Sequence, residues 1–304
     1  KTSIGGQAVI EGVMMRGPKL TALSVRMPDQ SISTETWDTP NSNKWYKKTP
    51  FIRGVFNFVE SLTDGYKSLM KAAEKAGLDD EEEEPSKFEQ KLRQLLGDKF
   101  MPFLQGCILL FSLAMALFFF AFLPTTLVGF FKDYINHPLA LSALEGLTKI
   151  AILILYLALI SNMSDIKRVF MYHGAEHKTI FCYEHGEELT VENVRKYTRF
   201  HPRCGTSFLV IVLLLSILVS SMVSWDNLWM RVGLKVLCLP IIMSLSYECI
   251  KFAGRHDNLF TRILSAPGLW TQRLTTREPD DSMIEVAIAS MKKVIPENPD
   301  EALF

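Results

Sequence analysis

Apolar residues run almost unbroken through four stretches, roughly 103–123, 139–160, 207–223 and 233–250. A bilayer core of about 30 Å takes about 20 helical residues, and each stretch is close to that, so the pattern predicts four transmembrane helices. The third carries no charge over its length, which argues against a soluble core helix. The second holds Glu145 and Lys149 at i,i+4 spacing, where they are expected to neutralise each other. The fourth contains Pro240, which implies a kink, and ends near Glu248 beside Lys251, where snorkelling accounts for the charge.

Before the first apolar stretch the pattern changes. Segments 5–18, 23–28 and 31–37 read as short strands separated by Gly, Pro and Asp turns, a small β element. Next, Phe51, Ile52, Val55, Phe56, Val59, Leu62, Tyr66, Leu69, Met70 and Ala73 recur at helical spacing. A helix lying in the membrane interface fits that spacing, and so does a helix packed on the β element. The acidic run 79–84 followed by Pro85 is a solvated linker by composition. At the far end Ser282 and Glu285 form a capping box ahead of Ile284, Ala287, Ile288, Met291, Val294 and Ile295, and Pro296 stops that helix.

The expected fold is mainly α: a polytopic membrane protein with four transmembrane helices, a small N-terminal β element and a cytosolic metal-binding segment between helices two and three. By segment this reads as 1–50 β element, 51–100 amphipathic helices and acidic linker, and 101–160 the first transmembrane hairpin. It continues as 161–206 the His/Cys segment, 207–252 the second hairpin, and 253–304 a cytosolic tail with an amphipathic helix.

Composition narrows the function classes. The 304 residues include 33 basic and 33 acidic side chains, so no basic excess suggests a nucleic-acid partner. The mean hydropathy of +0.14, with 22% of residues charged, excludes a disordered or fibrous chain. Five scattered cysteines are too few for a disulfide framework, and reduced thiols are expected. Lys167, Arg168, Lys178, Arg195, Lys196, Arg199 and Arg203 lie between helices two and three, and Lys251, Arg255, Arg262, Arg273 and Arg277 follow helix four. The other two connections hold only Lys132 and Arg231 near their edges. Such a bias places both termini and segment 161–206 in the cytosol of a multi-pass plasma-membrane protein. No cleavable signal peptide is read at Lys1.

The chemistry concentrates in His173-Gly174-Ala175-Glu176-His177. On a helix the two His stand one turn apart on one face, able to grip one ion, with Glu176 beside them. This is the His-x-x-Glu-His order of inverted zinc hydrolases, in which the Glu serves as base towards water. Gly174 weakens such a helix by up to about 1 kcal/mol relative to Ala. A second cluster, His201-Pro202-Arg203-Cys204, adds two ligand types that suit zinc. His173, His177, His201 and Cys204 are therefore the expected metal ligands, Glu176 the expected catalytic base, and a divalent metal, zinc by ligand type, the expected cofactor. Cys182, Glu184, His185, Glu187 and Glu188 are reserve ligands, and His137 and His256 ordinary interface residues. Three protein ligands leave a position open for catalysis, whereas four close the tetrahedron and make a staple, with Glu176 then orienting an imidazole. Spacing does not separate the two; a Glu between the two His favours the open site.

Five blocks in order, 5–18, 173–178, 189–194, 201–208 and 266–279, resemble the YqhQ-like family of bacterial polytopic membrane proteins across nearly the whole chain. The family is described as a domain of unknown function and as predicted metal-dependent enzymes. The resemblance also implies that Gln7, Glu11, Arg16, Gln272 and Thr276 belong to family blocks and line the site. Read from the residues alone, Gln7 and Glu11 are polar groups on a glycine-bounded strand, and Gln272 sits in a loop.

Two functions are expected from these features. One is an integral-membrane, metal-dependent hydrolase, peptidase-like, acting on a membrane-embedded substrate at the cytosolic surface. The alternative is a non-enzymatic factor for insertion, folding or assembly of another membrane protein, braced by a closed structural metal site and by Met-rich adaptable contacts. A transporter comes third, because four spans with few polar groups offer a poor pathway. The expected partners are the lipid bilayer and a membrane protein or embedded substrate, with no nucleic acid.

Overall fold

The structure is a computed structural model describing residues 2–40, 45–77, 87–256 and 258–302. The acidic run 79–84 and Pro85 lie outside the described residues. Two compact units are present, one of 1–78, 154–215 and 240–304, the other of 79–153 and 216–239.

The first unit is built on a four-stranded antiparallel meander, β1 (Gly5–Val9), β2 (Gly12–Arg16), β3 (Leu20–Arg26) and β4 (Ile32–Asp38). Ile10 and Glu11 turn β1 into β2, and Glu11 takes a positive φ of 49° there. Successive side chains point to opposite faces of the sheet, and here both faces are covered. Val13, Met15 and Ala22 join one core with α7 (Ser164–Glu184), α8 (Val191–Arg195) and α12 (Asp281–Val294). Val9, Met14, Leu23 and Val25 pack on the other face with Ala72 of α2 (Ile52–Lys75). A short α1 (Trp45–Lys48) precedes α2.

Two sequence expectations change in this unit. The C-terminal helix is capped not by Ser282 but by Asp280, whose carboxylate accepts the Met283 N–H at 2.9 Å, while Glu285 pairs with Arg26 at 2.9 Å. Segment 259–275, read as part of a tail, is the helix α11 (Leu259–Thr275), opened by a reciprocal Asn258–Thr261 cap. Pro267 and Gly268 inside it hid its periodicity.

The second unit is apolar helix. After α3 (Lys87–Leu96) come α4 (Phe100–Leu117), a π-helical turn (Phe118–Phe122) and α5 (Leu123–Gly129). Pro124, which has no N–H to donate, stands just after the turn and accounts for the register slip. The remaining helices, α6 (Pro138–Ile160), α9 (Gly205–Ser221) and α10 (Leu228–Arg255), contribute residues to both units. Among the described residues three helices are long and apolar enough to cross a bilayer: Phe103–Gly129, Pro138–Ile160 and Leu228–Ala253. The third predicted span is the shorter α9, whose 17 residues fall short of the about 20 that a bilayer core takes.

Glu145 and Lys149 do pair, at 3.2 Å, but not by themselves. Glu145 is fully buried and also meets Arg231, at 2.8 Å, and Lys235, both buried. Arg231, placed at the edge of a connection from sequence, further donates to the carbonyls of Ser220, Val223 and Ser224 and lies 3.8 Å over the Trp225 ring.

Candidate metal centre

Helix α7 carries the His-Gly-Ala-Glu-His segment in its middle, and i,i+4 spacing brings the His173 and His177 rings to 4.4 Å between centroids. Each imidazole is oriented by a main-chain carbonyl. His173 Nδ1 lies 2.8 Å from the Thr275 carbonyl oxygen, and His177 Nδ1 lies 2.5 Å from that of Arg199. A carbonyl only accepts, so both Nδ1 atoms donate, and in the neutral rings both Nε2 atoms present lone pairs. His173 Nε2 is 3.0 Å from Cys204 Sγ. His177 Nε2 is buried with no hydrogen-bond partner. The ligand atoms of His173, His177 and Cys204 all lie within 4.8 Å of one another.

Cys204 immediately precedes α9, and the Thr206 N–H and hydroxyl lie 3.4 and 3.3 Å from its sulfur. Glu176 projects from the same turn of α7, its Oε2 3.9 Å from His173 Nε2. Burial pushes its carboxyl up to about 7, against the opposing pull of His173 and the Gly6 backbone. A Cβ at residue 6 would stand 2.7–2.9 Å from the Glu176 side chain, so a larger residue there would displace the carboxylate.

The fourth sequence-derived ligand, His201, is outside this cluster. Its backbone is clasped by Gln272, which accepts its N–H at 2.8 Å and donates to its carbonyl at 2.7 Å. Its ring packs 4.6 Å from Phe181, with Nδ1 3.4 Å from the Arg203 N–H and Nε2 3.8 Å from Glu184. Both ring nitrogens are thus engaged by the protein. Burial lowers the His201 pKa to about 4. Glu184, which burial alone would raise, is held at about 2 by His201 and the Arg203 guanidinium.

The residues assigned through the resemblance mostly brace the site rather than line it. Glu11 accepts Arg168 at 2.5 and 2.6 Å and the Tyr172 hydroxyl at 3.1 Å, fastening the β1–β2 turn to α7. Gln272 is buried on α11, not in a loop, and the Thr276 carbonyl accepts Arg199 Nη1 at 2.7 Å. Gln7 and Arg16 face α2, where Arg16 meets Glu60 at 3.0 Å and Asp64 at 3.2 Å. Among the reserve ligands, Glu184 serves His201 and Arg203, His185 stacks 4.8 Å from Tyr197, and Cys182 is buried with its sulfur near the Glu187 and Glu188 carbonyls. Gly174, read as a helix weakness, is a point of close approach: a Cβ there would lie 2.1 Å from the Arg277 carbonyl oxygen. The carbonyls of Thr275 and Arg199 had no sequence signal, because any residue supplies one.

Two His lone pairs and a sulfur converging with one buried nitrogen unfilled fit a borderline-soft divalent ion, zinc by donor type. Comparison with known proteins agrees with the resemblance without adding an activity. A protein from Bacillus subtilis (strain 168), the uncharacterized protein YqhQ, is 36% identical over 294 residues, covering 96% of this chain and 92% of that one. No solved structure matches. The family model described as "Protein of unknown function (DUF1385)" matches residues 49–297, and the chain belongs to that family.

Proposed function

We propose that this is a multi-pass plasma-membrane protein, both termini cytosolic, that holds a divalent metal, zinc by donor type, on His173, His177 and Cys204. It acts as a hydrolase, peptidase-like in its residues, at the cytosolic membrane surface. The observation that carries this reading is the buried, unpartnered Nε2 of His177 beside His173 Nε2 and Cys204 Sγ. A buried polar atom costs free energy unless something satisfies it, and an ion would satisfy all three donors at once.

When bound, the ion supplies Lewis acidity. The chain supplies the rest. Thr275 and Arg199 hold the two rings with their lone pairs presented. Glu176, with its carboxyl near pH 7, accepts a proton at Oε2 and returns it, as a base poised at the working pH does. Three protein ligands leave a position for substrate.

The non-enzymatic assembly factor keeps one observation in its favour. Glu176 Oε2 is buried only 3.9 Å from His173 Nε2, close enough for the carboxylate to swing in as a fourth ligand and close the site. Substituting Glu176→Gln separates the two. The hydrolase reading expects stoichiometric metal to remain in the purified variant while complementation of a gene deletion is lost. Retained complementation sinks it. Metal lost together with the Cys204→Ser and His177→Ala losses favours the closed site.

A further inference from the structure

A helix at a protein–water boundary buries an apolar stripe and shows water its charges. In the first unit α12 does so, burying Met283, Ile284, Ala287 and Met291 and exposing Glu285, Lys292 and Lys293. Two other helices of that unit are inside out. Helix α2 exposes Ile52, Phe56, Val59, Leu62, Tyr66 and Leu69, while Gly54, Gly65, Ser68 and Ala72 are buried. Its Asn57, Glu60 and Asp64 face inward onto a cavity of about 1240 Å³. Helix α11 exposes Leu259, Phe260, Ile263 and Trp270 and buries Thr261, Ser265, Gly268, Thr271, Gln272 and Thr275.

Apolar stripes of this length mark a surface that something apolar covers, because each large side chain gains by leaving water. Polarity inverted in this sense is what a lipid surroundings selects: apolar groups outward, polar groups towards the protein interior or a water-filled chamber. We propose that α2 and α11 lie in the plane of the membrane, their exposed faces seated in lipid at the boundary between headgroups and acyl chains. The occupant is lipid rather than a protein because each helix adjoins a span, α2 through contacts with α10, and α11 along the chain. Arg53, in the first turn of α2, donates to Glu248 of α10 at 2.7 Å, and Tyr247 and Lys251 of α10 line the same cavity as α2. Glu248 belongs to Leu228–Ala253, one of the helices long enough to cross a bilayer, and α11 starts at Leu259, just beyond its end. Neither α2 nor α11 is itself among the spanning helices, as in-plane helices with a polar face should not be. This inference is independent of any metal.

The test uses the full chain in nanodiscs of mixed phosphatidylcholine and phosphatidylglycerol. Nitroxides are placed through Val59→Cys, Leu62→Cys, Tyr66→Cys and Ile263→Cys, with Glu285→Cys and Lys292→Cys on α12 as controls. The background lacks Cys107, Cys238 and Cys249 and keeps the buried Cys182 and Cys204. Collisions with oxygen should exceed those with a water-soluble nickel chelate several-fold at the four test positions, and the order should reverse on α12. Nickel access at Val59, Leu62 and Tyr66 equal to that on α12 overturns the proposal. So does protection from both reagents, which marks a second copy or another protein as the cover. A readout with one conservative change backs this up: brominated phospholipid should quench a component of the tryptophan fluorescence that Trp270→Phe removes. An unchanged quenched fraction in that variant overturns the proposal for α11.

Discussion

Each unit contains a buried polar cluster, and the two are built on opposite terms. In the second unit one carboxylate, Glu145, receives Lys149, Arg231 and Lys235, while Arg231 also donates to the carbonyls of Ser220, near the end of α9, and Val223 just beyond it. Every atom of the carboxylate is satisfied. In the first unit two imidazoles are fixed from behind by carbonyls, and a lone pair in front has no partner. Saturated donors and acceptors hold helices together; an ordered ring nitrogen left without a partner remains available to a ligand.

Removing Glu145 should give the largest effect. Glu145→Leu leaves three buried cations without a counter-charge, and breaking a buried charge network from one side costs about 3–5 kcal/mol. The variant should be nearly absent from the membrane fraction; wild-type abundance and melting temperature would erase the contrast. His177→Ala should behave in the opposite way, losing stoichiometric metal by elemental assay while melting close to metal-stripped wild type. Unfolding of that variant under conditions where stripped wild type stays folded would make the His/Cys cluster structural too.

Smaller effects sharpen the comparison. Gln272→Ala frees the backbone of His201, three residues before Cys204, without touching a candidate ligand atom, so metal affinity should fall by less than the about 10–100-fold that loss of a group bonded directly to a ligand costs. Metal titration by a competing chelator reads that change; an unaltered affinity would detach α11 from the centre. Acid should then loosen the first unit gradually. Glu184 has a folded pKa of about 2 against an ordinary 4.5, so its stabilisation is complete above about pH 4.5 and is lost as pH falls towards 2. His201 is buried neutral with a pKa of about 4 against 6.5, so stability falls as pH drops from 6.5 through 4. Both slopes have the same sign. Glu176, raised to about 7, runs the other way and destabilises the metal-free chain as pH rises, so the measurement is made in the Glu176→Gln background. Thermal melts of the metal-free variant between pH 7 and 3 should decline monotonically, and a flat profile would contradict the burial of both groups.

Much of the architecture was legible because it rests on long periodicities. The apolar stretches, the small β element and the i,i+4 histidine pair each leave a pattern in the chain. What escaped was set by contacts between distant segments. Glu145 and Lys149 looked self-sufficient because spacing reveals only partners on the same helix, while Arg231 and Lys235 come from α10. The division between Cys204 and His201 was equally invisible, since both are good ligands by type. Glu184, on the far end of α7, engages His201 first. Helix α11 was missed because its outward face is apolar and its inward face is threonine, serine and glycine, the reverse of the usual code.

At Gly174 the main chain of α7 comes so near the Arg277 carbonyl that even a methyl group has no room. Arg277 also donates its N–H to the Phe170 carbonyl at 2.8 Å, so helix and strand-like segment are joined backbone to backbone. The neighbouring Thr275 oxygen, which aims the His173 ring, therefore stands at a distance dictated by two polypeptide backbones in direct touch. The bite of the imidazole pair is in this sense gauged by the chain itself. It tolerates exchange of many surrounding side chains, yet one added carbon at position 174 would force the jaws apart.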